Sequence, residues 1–382
     1  MKRNKTYFIF TFGCQMNKSD SERVAGDYEA RGYVAAKTVY QADEIVINTC
    51  SIRKSAEDRA RSLINNLAKK FRLAAKRPKI ILTGCMIHHG EEKLLTMLPY
   101  VDEILPIAEV GFNSAAVRRD KRHAWIPISS GCNSFCTYCI VPLSRGREIS
   151  RPQKDILDEV KDLVKRGYSE ITLVGQNVNS YGLEKVGIGL RKLLMRQNLT
   201  LPSNVSQYKR IKGKPPFVQL LEKICQYKQI IKLRFMSSNP WDFSDELIGC
   251  IACHPQIDRF IHLPVQSGSN RTLKRMNRGY TWQDYLSIVK KLRAKIPEVT
   301  LGTDIIVGFP GETERDFAAT VALAKKVKWQ VAFVARYSPR PGTASYRFYP
   351  DNVSAVVKKQ RWQILENLIN QPHLVHRPKV IK

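Results

Sequence analysis

The sequence predicts an α/β chain: a small open parallel sheet at the amino terminus, followed by a partial (β/α)6 TIM-like barrel. Two observations carry this prediction. Short apolar runs alternate with helical runs from residue 5 to about residue 340, with the spacing of successive βα units. The chain has 382 residues, 43% of them hydrophobic, enough to bury more than one core. A third observation bears on the partner. The 63 Lys and Arg exceed 34 Asp and Glu, a net charge of +29 that runs through the whole chain and favours a polyanion.

The first unit is expected over residues 1–118. "TYFIFTFG" reads as a strand, "SDSERVAGDYEARG" as a helix, "EIVINTC" as a strand, "SAEDRARSLINNLAKKFRL" as a helix and "KIILTGC" as a third strand. The apolar run after Lys2, Arg3 and Lys5 turns polar at "CQMNKSD", so it is a strand and not a signal sequence. No apolar stretch approaches the roughly 18 residues of a membrane span. These features predict a cytoplasmic protein without membrane contact, in which nine cysteines stay reduced and serve metal binding or reactivity before crosslinking.

Three of those cysteines each terminate a predicted strand: Cys14 in "FTFGCQMN", Cys50 in "VINTCSIR" and Cys85 in "ILTGCMIHHG". Open parallel sheets bind ligands at the carboxyl ends of their strands, so one structural position used three times points to a shared metal site. His88 and His89 read as exposed loop or helix-start residues.

A basic linker over 119–126, around "RRDKRHAW", leads to a core over 127–345. Six strands are expected, in "WIPISS", "EITLVGQ", "IKLRFMSS", "RFIHLPVQ", "EVTLGTDIIVGF" and "WQVAFVARY". Helices fall at about 152–166, 217–228, 243–253, 281–295 and 313–327. "VGFPGET" lacks the lysine of a phosphate loop and the spacing of a dinucleotide fingerprint, and Thr313 with Asp316 reads as a helix cap. Residues 183–216 form a poorly periodic basic insertion, read as a surface loop in preference to an RNA contact. Residues 346–382 are expected to form a helix and a basic tail. Cys225, Cys250 and Cys253 read as structural, Trp241 and Trp329 as packing anchors.

The first barrel strand runs into "ISSGCNSFCTYCIVPLSRGR", with Cys132, Cys136 and Cys139 on one loop. Structural zinc takes four ligands, and no fourth cysteine or histidine stands nearby. A cubane iron–sulfur cluster held by three thiolates leaves one iron able to take an outside ligand, which suggests chemistry instead of scaffolding.

The spacing Cys132-x3-Cys136-x2-Cys139, with aromatic Tyr138 before the last cysteine, resembles the signature of the radical S-adenosylmethionine superfamily. The blocks "FGCQMN", "NTCSIR", "LTGCM", "LVGQNVNSYG", "HLPVQSGSNRTLKRMNRGY", "TDIIVGFPGET" and "YSPRPGTA" extend this to a resemblance to the methylthiotransferases over about residues 5–345. The resemblance implies two [4Fe-4S] clusters, one on Cys132, Cys136 and Cys139 and an auxiliary one on Cys14, Cys50 and Cys85. It implies S-adenosyl-L-methionine chelating the open iron, serving once as methyl donor and once as source of a 5′-deoxyadenosyl radical. Gly175, Gln176 and Asn177 fall where the superfamily often has a Gly-Gly-Glu-like motif for the methionine amine. Ser237, Ser238, Gln266 and Gly308 end later strands as expected cofactor neighbours, together with Tyr138. Arg145 would meet the cofactor carboxylate or a phosphate.

"NTCSIR" and "QNVNSYG" look like the branch that 2-methylthiolates N6-isopentenyladenosine beside the anticodon. The implied partners are the tRNA anticodon stem-loop and a low-potential electron donor such as a flavodoxin or ferredoxin, with the sulfur source unreadable. Alternatives are N6-threonylcarbamoyladenosine in tRNA, an aspartate of ribosomal protein S12, or a non-catalytic RNA-binding relative. The charge suits RNA. No acid–base dyad is expected. Relatives carry a further small, TRAM-like β domain at the carboxyl terminus, and this sequence ends at Lys382 without that pattern.

Overall fold

The computed structural model describes residues 4–51, 54–72, 77–110, 112, 114–183 and 213–374. Residues 184–212 of the basic insertion and 375–382 of the tail lie outside the described residues.

The amino-terminal sheet is β1 (Thr6–Thr11), β2 (Val34–Ala35), β3 (Glu44–Thr49), β4 (Lys79–Gly84) and β5 (Glu103–Ile104), in the order β2-β1-β3-β4-β5. Every pairing is parallel. The three central strands match the expectation. The edge strands, of two residues each, are too short to show alternation in sequence.

β3 is covered on both faces, as a central parallel strand must be. Val46 packs with Ile81, Val24 and Tyr28 under helix α1 (Gln15–Ala30), while Ile45 and Ile47 pack with Ile64 and Leu67 of helix α2 (Lys54–Phe71). α1 begins before the predicted start at Ser19, directly after Cys14. Its other face is polar and still buried, because it lies between the sheet and the second unit. Glu22 and Arg23 there meet Arg118, Arg151 and Glu159, with Arg23 3.0 Å from Glu159 and Glu22 2.6 Å from Arg118. Three guanidiniums on two carboxylates tie the units together, and they hold the Glu159 carboxyl low although burial pushes it up.

The second unit contains β6 (His123–Pro127), the antiparallel pair β7 (Ser129–Ser130) and β8 (Ile149–Ser150), β9 (Glu170–Val174), β10 (Lys232–Phe235), β11 (Phe260–His262), β12 (Thr300–Val307) and β13 (Val331–Arg336). β6 begins two residues before the expected Trp125. The ladders run β6-β9-β10 and β11-β12-β13. A parallel bridge between Leu233 and Ile257 joins them, so six parallel strands follow one another in chain order. This is the partial barrel that the alternation predicts, and its helices over 153–165, 216–225, 245–253, 282–295 and 314–327 lie close to the expected spans. Thr313 and Asp316 form the expected cap, each side chain accepting from the other's backbone N–H.

Beyond β13 the described residues are helical: Ala344–Phe348, Ala355–Leu365 and, through a π turn, Gln371–Leu374. Asn370 donates to the Ala332 carbonyl at 2.8 Å and accepts from the Ala332 N–H at 2.9 Å, covering the β13 edge that would otherwise stay unpaired. No helix among the described residues is long and apolar enough to cross a membrane.

Candidate functional site

Cys14, Cys50 and Cys85 each follow the carboxyl end of a neighbouring strand. Thr11 pairs with Asn48, Asn48 with Thr83 and Thr49 with Gly84, so the three strand ends lie level. Two glycines allow the loops to close on one another. A Cβ on Gly13 would sit 2.5 Å from Cys50 Cβ and 3.1 Å from Cys50 Sγ, and one on Gly84 would sit 2.3 Å from the Thr49 carbonyl oxygen. Both glycines have positive φ, +118° and +88°. Asn17 and Asn48 lock the arrangement from beneath: Asn17 donates to Asn48 Oδ1 at 2.9 Å and to the Thr49 carbonyl at 2.7 Å, and Asn48 donates back to the Asn17 carbonyl at 2.9 Å. Cys14 Sγ donates to Asn17 Oδ1 at 3.3 Å. Burial pushes the Cys14 thiol up, with Arg145 opposing and Cys85 adding to the shift.

Cys132, Cys136 and Cys139 share one loop, held at its base by the β7–β8 pair. Gly131, at φ +77°, passes so close to the chain that a Cβ would lie 2.1 Å from the Arg147 carbonyl oxygen. The loop is laced to residues 275–277: Thr137 N–H donates to the Met276 carbonyl at 3.0 Å, Thr137 Oγ1 to Arg275 at 2.9 Å, and Asn277 to the Phe135 carbonyl at 2.9 Å. Burial pushes the Cys139 thiol up to about 12, with Cys136 adding to it. Cys132 is pushed up further, by burial first and then by Glu148, Cys136 and Cys139. Cys139 also senses Cys85, which brings the two triads within electrostatic reach of each other.

The other residues expected around the cofactor divide into two groups. Gln176, Ser237, Ser238 and Gln266 gather at the carboxyl ends of the barrel strands. Among the described residues, Gln176 Oε1, Ser238 Oγ and Ser129 Oγ are buried there without a hydrogen-bond partner. Gly175 makes the space for Ser129, whose Oγ would lie 2.6 Å from a Cβ on residue 175. Ser237 and Gln266 hold the left-handed region at φ 67° and 68°, a strain tolerated where backbone must present a particular face. Asn177 lies at the same edge, but its side chain is engaged by Ser180 and Asn239 in a buried network that includes Asn179 and Asp242.

Tyr138, Gly308 and Arg145 are engaged by partners within the protein. The Tyr138 ring packs beside Phe309, 6.5 Å between centroids, in a cluster with Met276, Tyr337 and Tyr349. Gly308 lies against the carboxyl-terminal helix: a Cβ would meet Lys358 Cγ at 2.3 Å, and its N–H donates to the Glu312 carboxylate at 2.6 Å. Arg145 reaches across to the amino-terminal triad, donating to Cys85 Sγ at 3.4 Å and to Asp20 at 2.6 Å. Its partners are thus a thiol and a carboxylate of the protein, where a cofactor carboxylate or phosphate was expected.

Comparison with known proteins agrees with this architecture. Residues 126–324 match the family described as Radical SAM superfamily, and residues 6–106 match the uncharacterized protein family UPF0004. A tRNA-2-methylthio-N(6)-dimethylallyladenosine synthase of Thermotoga petrophila is 39% identical over 387 residues, spanning 95% of this chain and 81% of the relative. One from Carboxydothermus hydrogenoformans is 40% identical over 397 residues, spanning 96% and 83%. The chain belongs to the Radical SAM superfamily. Its fold is shared with the radical S-adenosylmethionine methyltransferase TsrM of Kitasatospora setae, at TM-score 0.53 and 12% identity over 90% of this chain and 77% of that one. The cobalamin-dependent radical enzyme OxsB superposes at TM-score 0.51 with 11% identity, over 96% and 56%.

Membership in the Radical SAM superfamily gives weight to residues that sequence reasoning left without a role. Arg278, in "MNRGY", donates to Cys136 Sγ at 3.2 Å. Trp241, expected only to anchor packing, stacks with Tyr280 and lies under the Arg278 guanidinium. His88 and His89 are partly buried, not exposed. They end a 3-10 turn after Cys85, which points their rings inward, with His89 Nε2 3.8 Å from Glu57 and His88 Nδ1 2.7 Å from the Cys85 carbonyl oxygen. Arg340, from the segment after β13, sits 3.2 Å from the other Glu57 oxygen. Cys225 and Cys250 are buried in the barrel core, whereas Cys253 is exposed.

Proposed function

We propose that this chain is a radical S-adenosylmethionine enzyme that transfers a methylthio group to C2 of N6-isopentenyladenosine next to the anticodon in tRNA. The observation that carries the reading is the near full-length similarity to tRNA-2-methylthio-N(6)-dimethylallyladenosine synthases. Cys132, Cys136 and Cys139 would hold one [4Fe-4S] cluster, Cys14, Cys50 and Cys85 a second.

The donor sets fit such groups. Thiols in low-dielectric surroundings that raise one another's pKa cannot all ionise unless a cation takes up their charge. The orphaned oxygens of Gln176, Ser238 and Ser129 fit a polar ligand at the carboxyl ends of the strands, where barrels bind their substrates. When bound, the clusters and S-adenosylmethionine would supply the hydrogen-abstracting radical and the methyl group, chemistry that no acid–base side chain provides.

The chain itself holds and shields. The Arg23–Arg118–Arg151 network on Glu22 and Glu159 fixes the sheet to the barrel, and with it one triad relative to the other. Phe309, Tyr337, Met276 and Tyr138 form an apolar cluster beside the three-cysteine loop, whose thiols stay partly accessible. The +29 charge attracts the tRNA backbone, and an anticodon-loop base is cheap to unstack into a buried site. A low-potential donor such as a flavodoxin or ferredoxin would supply electrons in the cytoplasm. We place the functional units at residues 1–118 and 127–345, joined by the basic stretch 119–126 and closed by 346–382.

Nucleoside mass spectrometry of tRNA from cells lacking their own methylthiotransferase tests the reading. Expression of this chain should produce 2-methylthio-N6-isopentenyladenosine, abolished by Cys132→Ala and by Cys50→Ala. A methylthio mark on threonylcarbamoyladenosine, or on a ribosomal-protein aspartate, with unmodified isopentenyladenosine would overturn it.

A further inference from the structure

Each set of three cysteines is met by one arginine from a distant part of the chain, Arg278 partly buried and Arg145 with its side chain buried, and the two differ in what balances them. Arg278 Nη1 donates to Cys136 Sγ at 3.2 Å, Nη2 to the Pro264 carbonyl at 3.2 Å and Nε to the Tyr280 hydroxyl at 3.1 Å. Its guanidinium stands 4.8 Å from the centre of the Trp241 ring and 5.2 Å from that of Tyr280. Among the described residues it has no carboxylate partner, so only dipoles, ring faces and Cys136 answer its charge. Arg145 Nε donates to Cys85 Sγ at 3.4 Å, and its Nη2 lies 2.6 Å from the Asp20 carboxylate, with the Arg145 side chain 2% exposed. A nearby carboxylate therefore offsets the second positive charge, and none offsets the first.

A fixed, unbalanced positive charge in a poorly screened interior stabilises whichever state of its neighbour carries one more electron. Building on the reading that the triads hold iron–sulfur clusters, we infer that Arg278 is a positioning residue that raises the reduction potential of the centre on Cys132, Cys136 and Cys139, and that Asp20 keeps Arg145 from doing the same for the centre on Cys14, Cys50 and Cys85. The step concerned is the gain of one electron from a low-potential one-electron reductant, with no bond made or broken. The arrangement directs that electron to the centre that cleaves S-adenosylmethionine.

The test is a dithionite redox titration of the full chain, loaded with iron and sulfide and followed by electron paramagnetic resonance. Variants retaining a single triad assign each signal. Arg278→Met should lower the reduced-to-oxidised ratio of the barrel-loop centre at least tenfold at the wild-type midpoint, which is about 59 mV for one electron. Arg278→Lys, which keeps the charge and loses the planar fork, should shift it less. Asp20→Asn should shift the other centre in the opposite direction, towards easier reduction. Fully loaded Arg278→Met and Asp20→Asn proteins with unmoved midpoints would overturn the inference. If Arg278→Met fails to load, the charge-removing Arg278→Gln and Asp20→Asn decide by the same criterion. A wild-type chain that takes up no iron on either triad would overturn the cluster reading itself, and this one with it.

Discussion

The two sets of three cysteines are placed on opposite architectural principles. Cys132, Cys136 and Cys139 lie within eight residues of sequence, on a loop tied to the β7–β8 pair, the 275–278 segment and Ser345. Cys14, Cys50 and Cys85 come from three strands, and they meet only because the sheet is in register and Gly13 and Gly84 let the loops touch. One set of thiols is therefore local, and the other is a property of a whole folded sheet. The local centre should survive damage to the amino-terminal unit, whereas the distributed one should be lost with any slip of β1, β3 or β4.

The largest effects should come from the thiols themselves. Cys132→Ala is expected to abolish both 5′-deoxyadenosine formation and the methylthio product, while Cys50→Ala abolishes the product and leaves 5′-deoxyadenosine formation intact. Loss of both activities in Cys50→Ala would mean that the two centres are not separable.

Backbone substitutions sharpen the comparison without touching a sulfur. Gly84→Ala places a Cβ against the Thr49 carbonyl in a left-handed conformation and should cost roughly 1–3 kcal/mol. It should deplete iron from the amino-terminal triad alone. Gly131→Ala faces the Arg147 carbonyl and should do the reverse. Iron analysis beside 5′-deoxyadenosine assays distinguishes the two, and equal losses at both centres in either variant would break the contrast between local and distributed sites.

The same contrast governs what the sequence disclosed. That Cys132, Cys136 and Cys139 share one loop follows from their local spacing, and that Cys14, Cys50 and Cys85 follow neighbouring strand ends follows from one position recurring three times. What stayed hidden are relations between segments far apart in the chain. Arg145 follows Cys139 by six residues, yet its partner Cys85 lies 60 residues away, and Arg278 lies 142 residues from Cys136. Tyr138 and Gly308 sit in motifs beside the site, but rotamer and helix packing turn one to Phe309 and the other to Lys358. Two-residue edge strands carry no period to read, and a 3-10 turn after Cys85 hides the inward aim of His88 and His89.

Glu57 offers the smallest and most selective way to probe how the distributed centre is fastened to the barrel. Its carboxyl is pushed up by burial, yet His89, Ser51 and Arg340 outweigh that and hold it at about 2, against an ordinary value of 4.5. A carboxylate with a depressed folded-state pKa contributes stability that is complete above its unfolded pKa and lost as pH falls towards the folded value. The wild-type chain should therefore lose stability below pH 4.5, by roughly 1 kcal/mol at about pH 3.5, relative to Glu57→Gln, which has no proton to take up at this site. Urea midpoints of the two chains across that window measure the difference. Because Arg340 comes from the segment after β13 and Glu57 from α2, Arg340→Met should shrink the same pH dependence, and an undiminished one would place the fastening on His89 within the amino-terminal unit instead.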